Sequence, residues 1–304
     1  MDDSVRRKTM SIRRGLLLAA VPLTLTVIYG CGGQIPPAPA AANNEPEGCR
    51  VSGRIVSSAW RALGGGIERA IVTAWTLPEL VRVDEVYGQG EPFEFRLPPG
   101  KYKLICSAVG TRGATFEVLT REITIARDQD SLEVGKVDLP ISKTTGLYGE
   151  PAPDLKGIIA WQDTRPLALK DLRGQVVVLD FFAYYCSICH EHKPDLVKLR
   201  EKYERDGLVV LAVHDASLKT LDEMNKKMGP ILRRVFEGDP PRIPMALDGP
   251  GDQSVFGDYG IEAVPAVILI DPQGRVVRRY HHAGKPELEA DVKALLNSHS
   301  KLFL

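Results

Sequence analysis

The chain has 304 residues, of which 44% are hydrophobic and 26% are charged. This composition suffices for two folded cores and differs from that of a disordered chain. Lys and Arg together number 39, as do Asp and Glu, so the formal net charge is zero. Without a basic surplus, nucleic-acid binding is not expected.

The first thirty residues predict export from the cytoplasm. A basic segment precedes an apolar stretch over residues 15–28. An apolar stretch this short is typical of a signal peptide rather than of a membrane span. The basic residues are Arg6, Arg7, Lys8, Arg13 and Arg14.

The end of that stretch reads Ile28-Tyr29-Gly30-Cys31, which resembles a bacterial lipobox. The resemblance implies a lipoprotein-type signal peptide over residues 1–30 and lipid attachment at Cys31, the first residue of the mature protein. A simple cleaved signal and an uncleaved anchor are the alternatives. The pair Arg13-Arg14 also resembles a twin-arginine signal.

Residues 31–48 are rich in Pro, Ala and Gly and cannot form a core. The prolines favour an extended, semi-rigid spacer. We expect a tether between the membrane and the folded part of the chain.

Residues 49–142 contain short runs that alternate apolar and polar residues, separated by Gly and Pro turns. This pattern predicts an all-β sandwich of antiparallel strands. The stretch 93–104, with Leu-Pro-Pro-Gly-Lys-Tyr at its centre, resembles the carboxypeptidase regulatory-like domain, a small transthyretin-like sandwich. That resemblance implies a spacer or docking module. The predicted strands are 50–56, 70–75, 92–97, 101–106 and 122–126.

Two cysteines, Cys49 and Cys106, fall within this β region. An oxidising compartment would allow a structural disulfide between them, with two buried thiols as the alternative.

Residues 146–304 alternate β and α segments, which predicts an α/β fold with a central mixed sheet flanked by helices. Pro286 is suited to the first position of the last helix. The predicted strands are 176–182, 208–213, 242–247, 266–271 and 276–280, and the predicted helices are 189–205, 218–236 and one from residue 286.

The pair Cys186 and Cys189 follows the buried strand 176–182 and opens a helix. A thiol at a helix N-terminus is stabilised as the thiolate by the helix dipole and by unpaired N–H groups. A second thiol one turn later can attack the mixed disulfide that the first one forms. The spacing therefore predicts thiol–disulfide exchange.

Three further positions fit a thioredoxin-like fold. Asp180 lies on the strand six residues before Cys186, Pro194 lies five residues after Cys189, and Pro265 precedes an apolar strand. With these matches, residues 146–304 resemble the thioredoxin superfamily and, more narrowly, extracytoplasmic redoxins of the TlpA/ResA type. The segments 149–155 and 172–175 are also typical of that group.

The resemblance implies a role for each site residue. Cys186 would be the attacking thiol and Cys189 the buried resolving thiol, with Asp180 as its proton acceptor. Pro265, in the cis form, would expose the backbone of Val264 to an extended partner.

The family usually has Trp immediately before the first cysteine, where this chain has Tyr185, which we expect to cover the disulfide. The implied activity is that of an extracytoplasmic thiol–disulfide oxidoreductase, acting as a reductase of protein disulfides. Its electrons would come from a membrane thiol donor. We expect a monomer in the cell envelope, with no cofactor and no metal.

Three other readings stay open. The run Cys186-Ser-Ile-Cys189-His190 matches the c-type haem attachment pattern. His190, His192 and His214 could bind a metal, although residues i and i+2 of a helix face different ways, so solvated histidines are expected.

Peroxide reduction is the third reading, because redoxin folds include peroxiredoxins. Their signature has Pro and Thr where this chain has Leu179 and Ala183. A non-enzymatic lipoprotein that binds a partner is the remaining alternative.

Overall fold

The computed structural model describes residues 48–251 and 253–300, and these belong to one compact unit, Pro46–Leu304. The predicted signal peptide, Cys31 and residues 31–47 of the predicted tether lie outside the described residues. Among the described residues, no helix has the length and apolar character needed to cross a membrane.

Residues 49–138, here called the β region, form two sheets that enclose one core. One sheet has the strand order β4-β1-β7 and the other has the order β3-β2-β5-β6. The strands are β1 (Cys49–Val56), β2 (Ile67–Thr76), β3 (Arg82–Gln89), β4 (Pro92–Leu97), β5 (Gly100–Gly110), β6 (Leu119–Ile125) and β7 (Ser131–Asp138).

The core of the β region follows from alternation along its strands. On β1, Val51 and Ile55 are fully buried whereas Arg50 and Arg54 point to solvent, as period-2 geometry requires. The inward residues of both sheets join one apolar cluster. A short helix, α1 (Ser58–Ala62), adds the buried Trp60 to it.

Two strands of this region, β3 and β7, were not predicted from the sequence. β3 and β7 carry mostly polar residues: β3 has no fully buried residue, and β7 has one, Val137, after the short alternation Leu132-Glu133-Val134. β7 pairs parallel with β1, so the expectation of a purely antiparallel arrangement is wrong.

Cys49 and Cys106 are both buried and both free. Cys49 lies on β1 and Cys106 on β5, in different sheets. Of the two alternatives for this pair, the structure has the buried thiols and not the possible disulfide. Each thiol fills space in the common core, and burial raises the pKa of Cys106 to about 11.

The second part of the chain, residues 146–300, is called the α/β region here. Its sheet is mixed and has the strand order β13-β12-β9-β10-β11-β8. The strands are β8 (Ile158–Gln162), β9 (Val176–Phe182), β10 (Leu208–His214), β11 (Met245–Asp248), β12 (Ala266–Ile270) and β13 (Val276–Tyr280). The helices are α2 (Lys143–Gly146, just before the region), α3 (Ser187–Glu191), α4 (Lys193–Tyr203), α5 (Leu221–Val235), α6 (Val255–Tyr259) and α7 (Pro286–Ser300).

Strand β9 lies inside the sheet, parallel to β10 and antiparallel to β12. All seven of its residues are buried, which is why its sequence reads as a continuous apolar run. Val178 and Phe182 face one core and Leu179 and Phe181 face the other. Asp180 shares the face of Val178 and Phe182, whose core also contains Cys189 and residues of α4 and α7.

The predicted helix over residues 189–205 is in fact two helices. His192, with φ −96° and ψ 3°, separates α3 from α4, and Pro194 stands in the first turn of α4. A proline is tolerated there because the first N–H groups of a helix have no intrahelical partner.

The β region and the α/β region are in direct contact. The Tyr148 hydroxyl donates to the carbonyl of Gly113 (3.1 Å) and accepts from the Arg279 N–H (2.9 Å). Gly113 has φ +69°, and a Cβ there would lie 2.2 Å from the Arg279 carbonyl oxygen. The close approach of the two regions therefore requires glycine at this position.

Candidate active site

Cys186 and Cys189 form a disulfide at the start of α3, with a Cα–Cα distance of 5.3 Å. Cys186 is the N-cap residue of the helix, and its Sγ accepts a hydrogen bond from the Cys189 N–H at 3.2 Å. Cys186 is partly exposed, whereas Cys189 is buried. An approaching thiol or disulfide therefore reaches the Cys186 sulfur more easily.

The peptide bond between Val264 and Pro265 is cis. Pro265 is buried and Val264 is partly exposed, just before β12. Val264 and Tyr185 line one cavity of about 280 Å³. Two segments far apart in sequence, one before Cys186 and one before Pro265, are thus brought together.

Two apolar side chains beside the disulfide face solvent. Tyr185 is 64% exposed and Ile188 is 48% exposed. Large exposed apolar side chains next to a reactive group are a feature of binding surfaces.

Asp180 is buried and forms an ion pair with Lys193, the first residue of α4. Lys193 is only 1% exposed, and its Nζ lies 3.6 Å from the centre of the Phe182 ring. Burial lowers the pKa of Lys193, and the neighbouring carboxylate opposes that shift. Asp180, which the resemblance implies as the proton acceptor of Cys189, therefore has a buried cationic partner.

Two buried histidines bind the peptide units of Tyr184. The Tyr184 N–H donates to Nε2 of His214 at 2.9 Å, and Nε2 of His190 lies 2.8 Å from the Tyr184 carbonyl oxygen. A main-chain N–H can only donate and a carbonyl can only accept. His214 therefore has its proton on Nδ1, and His190 has a proton on Nε2.

The Nδ1–H of His214 points at Asp215, 2.8 Å from the carbonyl oxygen and 3.1 Å from Oδ1. The Tyr185 hydroxyl donates to the other carboxylate oxygen of Asp215 at 2.7 Å. Burial opposes ionisation of Asp215, but hydrogen bonds from His214, Ser217 and Tyr185 lower its pKa to about 2. The ionised carboxylate thus fixes Tyr185 and the tautomer of His214 together.

The expectation that His190 and His214 are solvated is wrong, since they are 5% and 0% exposed. Burial lowers the pKa of His190, which keeps the ring neutral. His192, at the break between α3 and α4, instead stacks on His282 with the ring centres 3.6 Å apart. The three histidines considered as metal ligands therefore have separate structural partners.

No group of three or more His, Cys, Asp or Glu side chains within residues 48–251 and 253–300 has metal-binding geometry. His190, the third element of the haem attachment pattern, binds the Tyr184 carbonyl in the disulfide-bonded site.

Sequence reasoning missed Lys193 and Asp215, and it considered His214 only as a possible metal ligand. The last two had a signal: β9 and β10 are parallel neighbours, so the carboxyl ends of both strands lie at one edge of the sheet. Residues 214–215, at the end of β10, are therefore expected to lie near the Cys-x-x-Cys turn that follows β9. No sequence signal indicated Lys193, because lysine is among the residue types least often fully buried.

A Cys-x-x-Cys helix after the central strand of a mixed sheet, beside a cis-proline before an antiparallel strand, defines a thioredoxin-like domain. Residues 148–279 match the model of the AhpC/TSA family. The C-terminal half of the chain thus has a thioredoxin-like fold and is similar to the AhpC/TSA family over residues 148–279.

Among curated proteins, the chain is 30% identical over 146 residues to Protein SUPPRESSOR OF QUENCHING 1, chloroplastic, from Arabidopsis thaliana, covering 47% of this chain and 13% of that protein. It is 35% identical over 128 residues to Protein DipZ from Mycobacterium tuberculosis, covering 41% and 17%. The chain thus spans less than a fifth of the length of these two relatives. It is also 28% identical to thiol-disulfide oxidoreductase ResA from Bacillus anthracis, over 48% of this chain and 78% of ResA.

Proposed function

We propose that this protein is an extracytoplasmic thiol–disulfide oxidoreductase that reduces disulfides in protein partners. The observation that carries the proposal is the disulfide itself: a partly exposed sulfur and a buried one share a helix start beside the segment of Val264. The similarity to ResA over most of that protein's length supports the same activity.

In the reduced enzyme, the Cys186 thiolate attacks one sulfur of a substrate disulfide. A mixed disulfide forms, and the other substrate sulfur leaves as a thiolate. The Cys189 thiolate then attacks Sγ of Cys186, which releases the second substrate thiolate. The products are a reduced substrate and the Cys186–Cys189 disulfide seen in the structure. A dithiol donor restores the reduced enzyme by the reverse exchange.

The second step requires Cys189 to lose its proton within a buried environment. Asp180 is the proposed acceptor, because it lies on the same face of the sheet as the core containing Cys189. Lys193 keeps that carboxylate paired between turnovers. A partner segment would pair with the Val264 backbone and contact Tyr185 and Ile188.

The proposed setting is the cell envelope. The basic and apolar N-terminal segment supports export, and Cys31 is the proposed lipid attachment site, with residues 31–48 as tether. The β region would serve as an accessory module, and the protein would act as a monomer that draws electrons from a membrane thiol donor.

Turnover tests the proposal directly. With a dithiol donor, the wild-type protein should reduce insulin, followed by light scattering of the precipitating chains. Cys186→Ser and Cys189→Ser should each abolish turnover, while Cys106→Ser, which alters a buried cysteine of the β region, should retain it. Equal activity in wild type and Cys186→Ser would refute the proposal.

Peroxide reduction is a second candidate, favoured by the AhpC/TSA match. The position three residues before Cys186 is the buried Ala183, which offers no hydroxyl to a peroxide. We therefore expect hydrogen peroxide to oxidise the reduced protein no faster than it oxidises an ordinary low-pKa thiol. Rapid oxidation that disappears in Cys186→Ser would make peroxide the substrate.

A further inference from the structure

The cavity beside the disulfide continues into a second one that is bounded by the β region. The first, about 280 Å³, is lined by Tyr185 and Val264, and the second, about 510 Å³, reaches residues 115–118. The two cavities share four lining residues, so they form one groove: Phe256, Ile261, Glu262 and Ala263. One end of this groove lies at the candidate redox site and the other lies on the β region.

The wall that the β region provides is held in place. The Thr115 N–H donates to Oγ1 of Thr145 at 2.8 Å, and the Thr115 hydroxyl lies 2.6 Å from that of Ser142. Phe116 forms a β-bridge with Ile141. The segment 115–118 is therefore preorganised, and it presents Val118, which is 57% exposed. A fixed wall loses little conformational entropy when a ligand binds.

Three carboxylates and two cations line the groove, so its net charge is negative by one. Glu117 and Glu262 are exposed on its two sides. The cations that line it are engaged with the protein's own backbone: Lys143 donates to the Gly257 carbonyl at 2.8 Å and Arg279 to the Pro265 carbonyl at 3.4 Å. The half nearer the disulfide contains Asp215, whose pKa of about 2 keeps it ionised, and no cation.

We infer that this groove binds an extended, basic segment of the substrate polypeptide, next to the substrate cysteine that reacts with Cys186. The inference rests on the proposed function and assigns the β region a part in choosing substrates. An extended chain advances about 3.3 Å per residue, so a groove that begins at the redox site fits residues flanking the reactive cysteine. Aliphatic side chains would contact Val118, and a Lys or Arg would pair with Glu117 or Glu262.

The test compares peptides that differ only in one charge. Each peptide has a single cysteine in a mixed disulfide with 2-nitro-5-thiobenzoate and carries either Lys or Glu at one of several spacings from it. N-acetylcysteine in the same mixed disulfide is the small substrate that cannot reach the groove. The rate of thiobenzoate release is measured with reduced wild type, with E117K/E262K, and with E122K, an exposed charge reversal on β6 outside the groove.

Wild type and E122K should prefer the best-spaced Lys peptide over its Glu counterpart by about fivefold, as expected for one or two rim charge pairs. E117K/E262K should lose or reverse that preference and react normally with the small substrate. Equal rates for Lys and Glu peptides in wild type, or an unchanged preference in E117K/E262K, would overturn the inference.

A binding measurement distinguishes a failure of this inference from a failure of the proposed function. If the small substrate itself did not react, the proposed function would fail. Fluorescence anisotropy of cysteine-free Lys and Glu peptides would then still test the groove, with the same expected loss in E117K/E262K. Concentration-dependent dimerisation that E117K/E262K abolishes, without peptide binding, would assign the groove to a second copy of the chain and overturn the inference.

Discussion

At the residue scale, the peptide units of Tyr184 are hydrogen-bonded to two buried imidazoles. His214 accepts from the Tyr184 N–H, and His190 donates to the Tyr184 carbonyl, two residues before the attacking cysteine. A protonated His214 could not accept that bond, because both ring nitrogens would then be donors. The geometry of the turn before Cys186 therefore depends on the neutral form of His214.

His214→Phe should leave the Tyr184 N–H without an acceptor and lower the free energy of unfolding by about 1–3 kcal/mol. It should also change the rate at which iodoacetamide alkylates Cys186 in the reduced protein. His214→Gln keeps an acceptor oxygen and should restore the alkylation rate, while His192→Gln, at the helix break, serves as control. Equal behaviour of the Phe and Gln variants would mean that His214 acts through packing alone.

Asp180 and Lys193 make a second prediction at this scale. Without Lys193, a buried amide at residue 180 would be expected to stabilise the fold by removing the cost of burying a charge. Since the structure pairs the two residues, Asp180→Asn should instead destabilise the protein by about 3–5 kcal/mol, because it leaves a buried ammonium without a partner.

Denaturant melts of the oxidised protein measure this effect. Asp180→Asn combined with Lys193→Met removes both charges and should recover much of the loss. An Asp180→Asn protein as stable as wild type would show that the ion pair contributes nothing to the fold.

At the element scale, sequence patterning located the central elements well. β9 was predicted with its observed bounds, because a strand buried on both faces reads as a continuous apolar run. The Cys-x-x-Cys turn followed from the spacing of the two cysteines, and the cis-proline before β12 followed from the resemblance to the thioredoxin superfamily. The strands missed were β3, β7 and β8: β3 and β7 are mostly polar, and β8 is a short edge strand with no fully buried residue. The short helices α1, α2 and α6 were missed as well.

In helix α7, a buried side chain and its exposed neighbour should contribute very differently to the free energy of unfolding. Leu288 is fully buried against the core of α4 and β9, whereas the adjacent Glu289 forms exposed contacts with Lys202 and Tyr203 of α4. Leu288→Ala should cost about 2–5 kcal/mol of unfolding free energy. Glu289→Gln, its neighbour and control, should shift the melting curve hardly at all, because solvent screens the ion pair. Similar losses of unfolding free energy in Leu288→Ala and Glu289→Gln would contradict this difference between the buried and the exposed side chain.

At the scale of the whole molecule, folding lowers the pKa of several histidines. Burial lowers the pKa of His190, His281 and His282. As the pH falls below about 6.5, the ordinary pKa of histidine, the unfolded chain therefore binds protons before the folded protein does.

The free energy of unfolding should thus fall between pH 6.5 and pH 5, with a slope of at most about 1.4 kcal/mol per pH unit for each histidine. Asp215, whose pKa is also lowered, adds a further loss below about pH 4. Denaturant melts across this range measure the curve, and His190→Gln should reduce its slope. Stability that rises as the pH falls from 7 to 5 would contradict the burial of these rings.

Trapping tests most directly the claim that Cys186 attacks and Cys189 resolves. Reduced Cys189→Ser and reduced Cys186→Ser are each mixed with a disulfide-containing protein, quenched with acid, and analysed by intact mass and peptide mapping. Cys189→Ser should accumulate a one-to-one mixed disulfide through Cys186, because no second thiol can release the partner. Cys186→Ser should accumulate little, since the Cys189 sulfur is buried. Equal trapping by both variants, or adducts mapped to Cys189, would contradict the account.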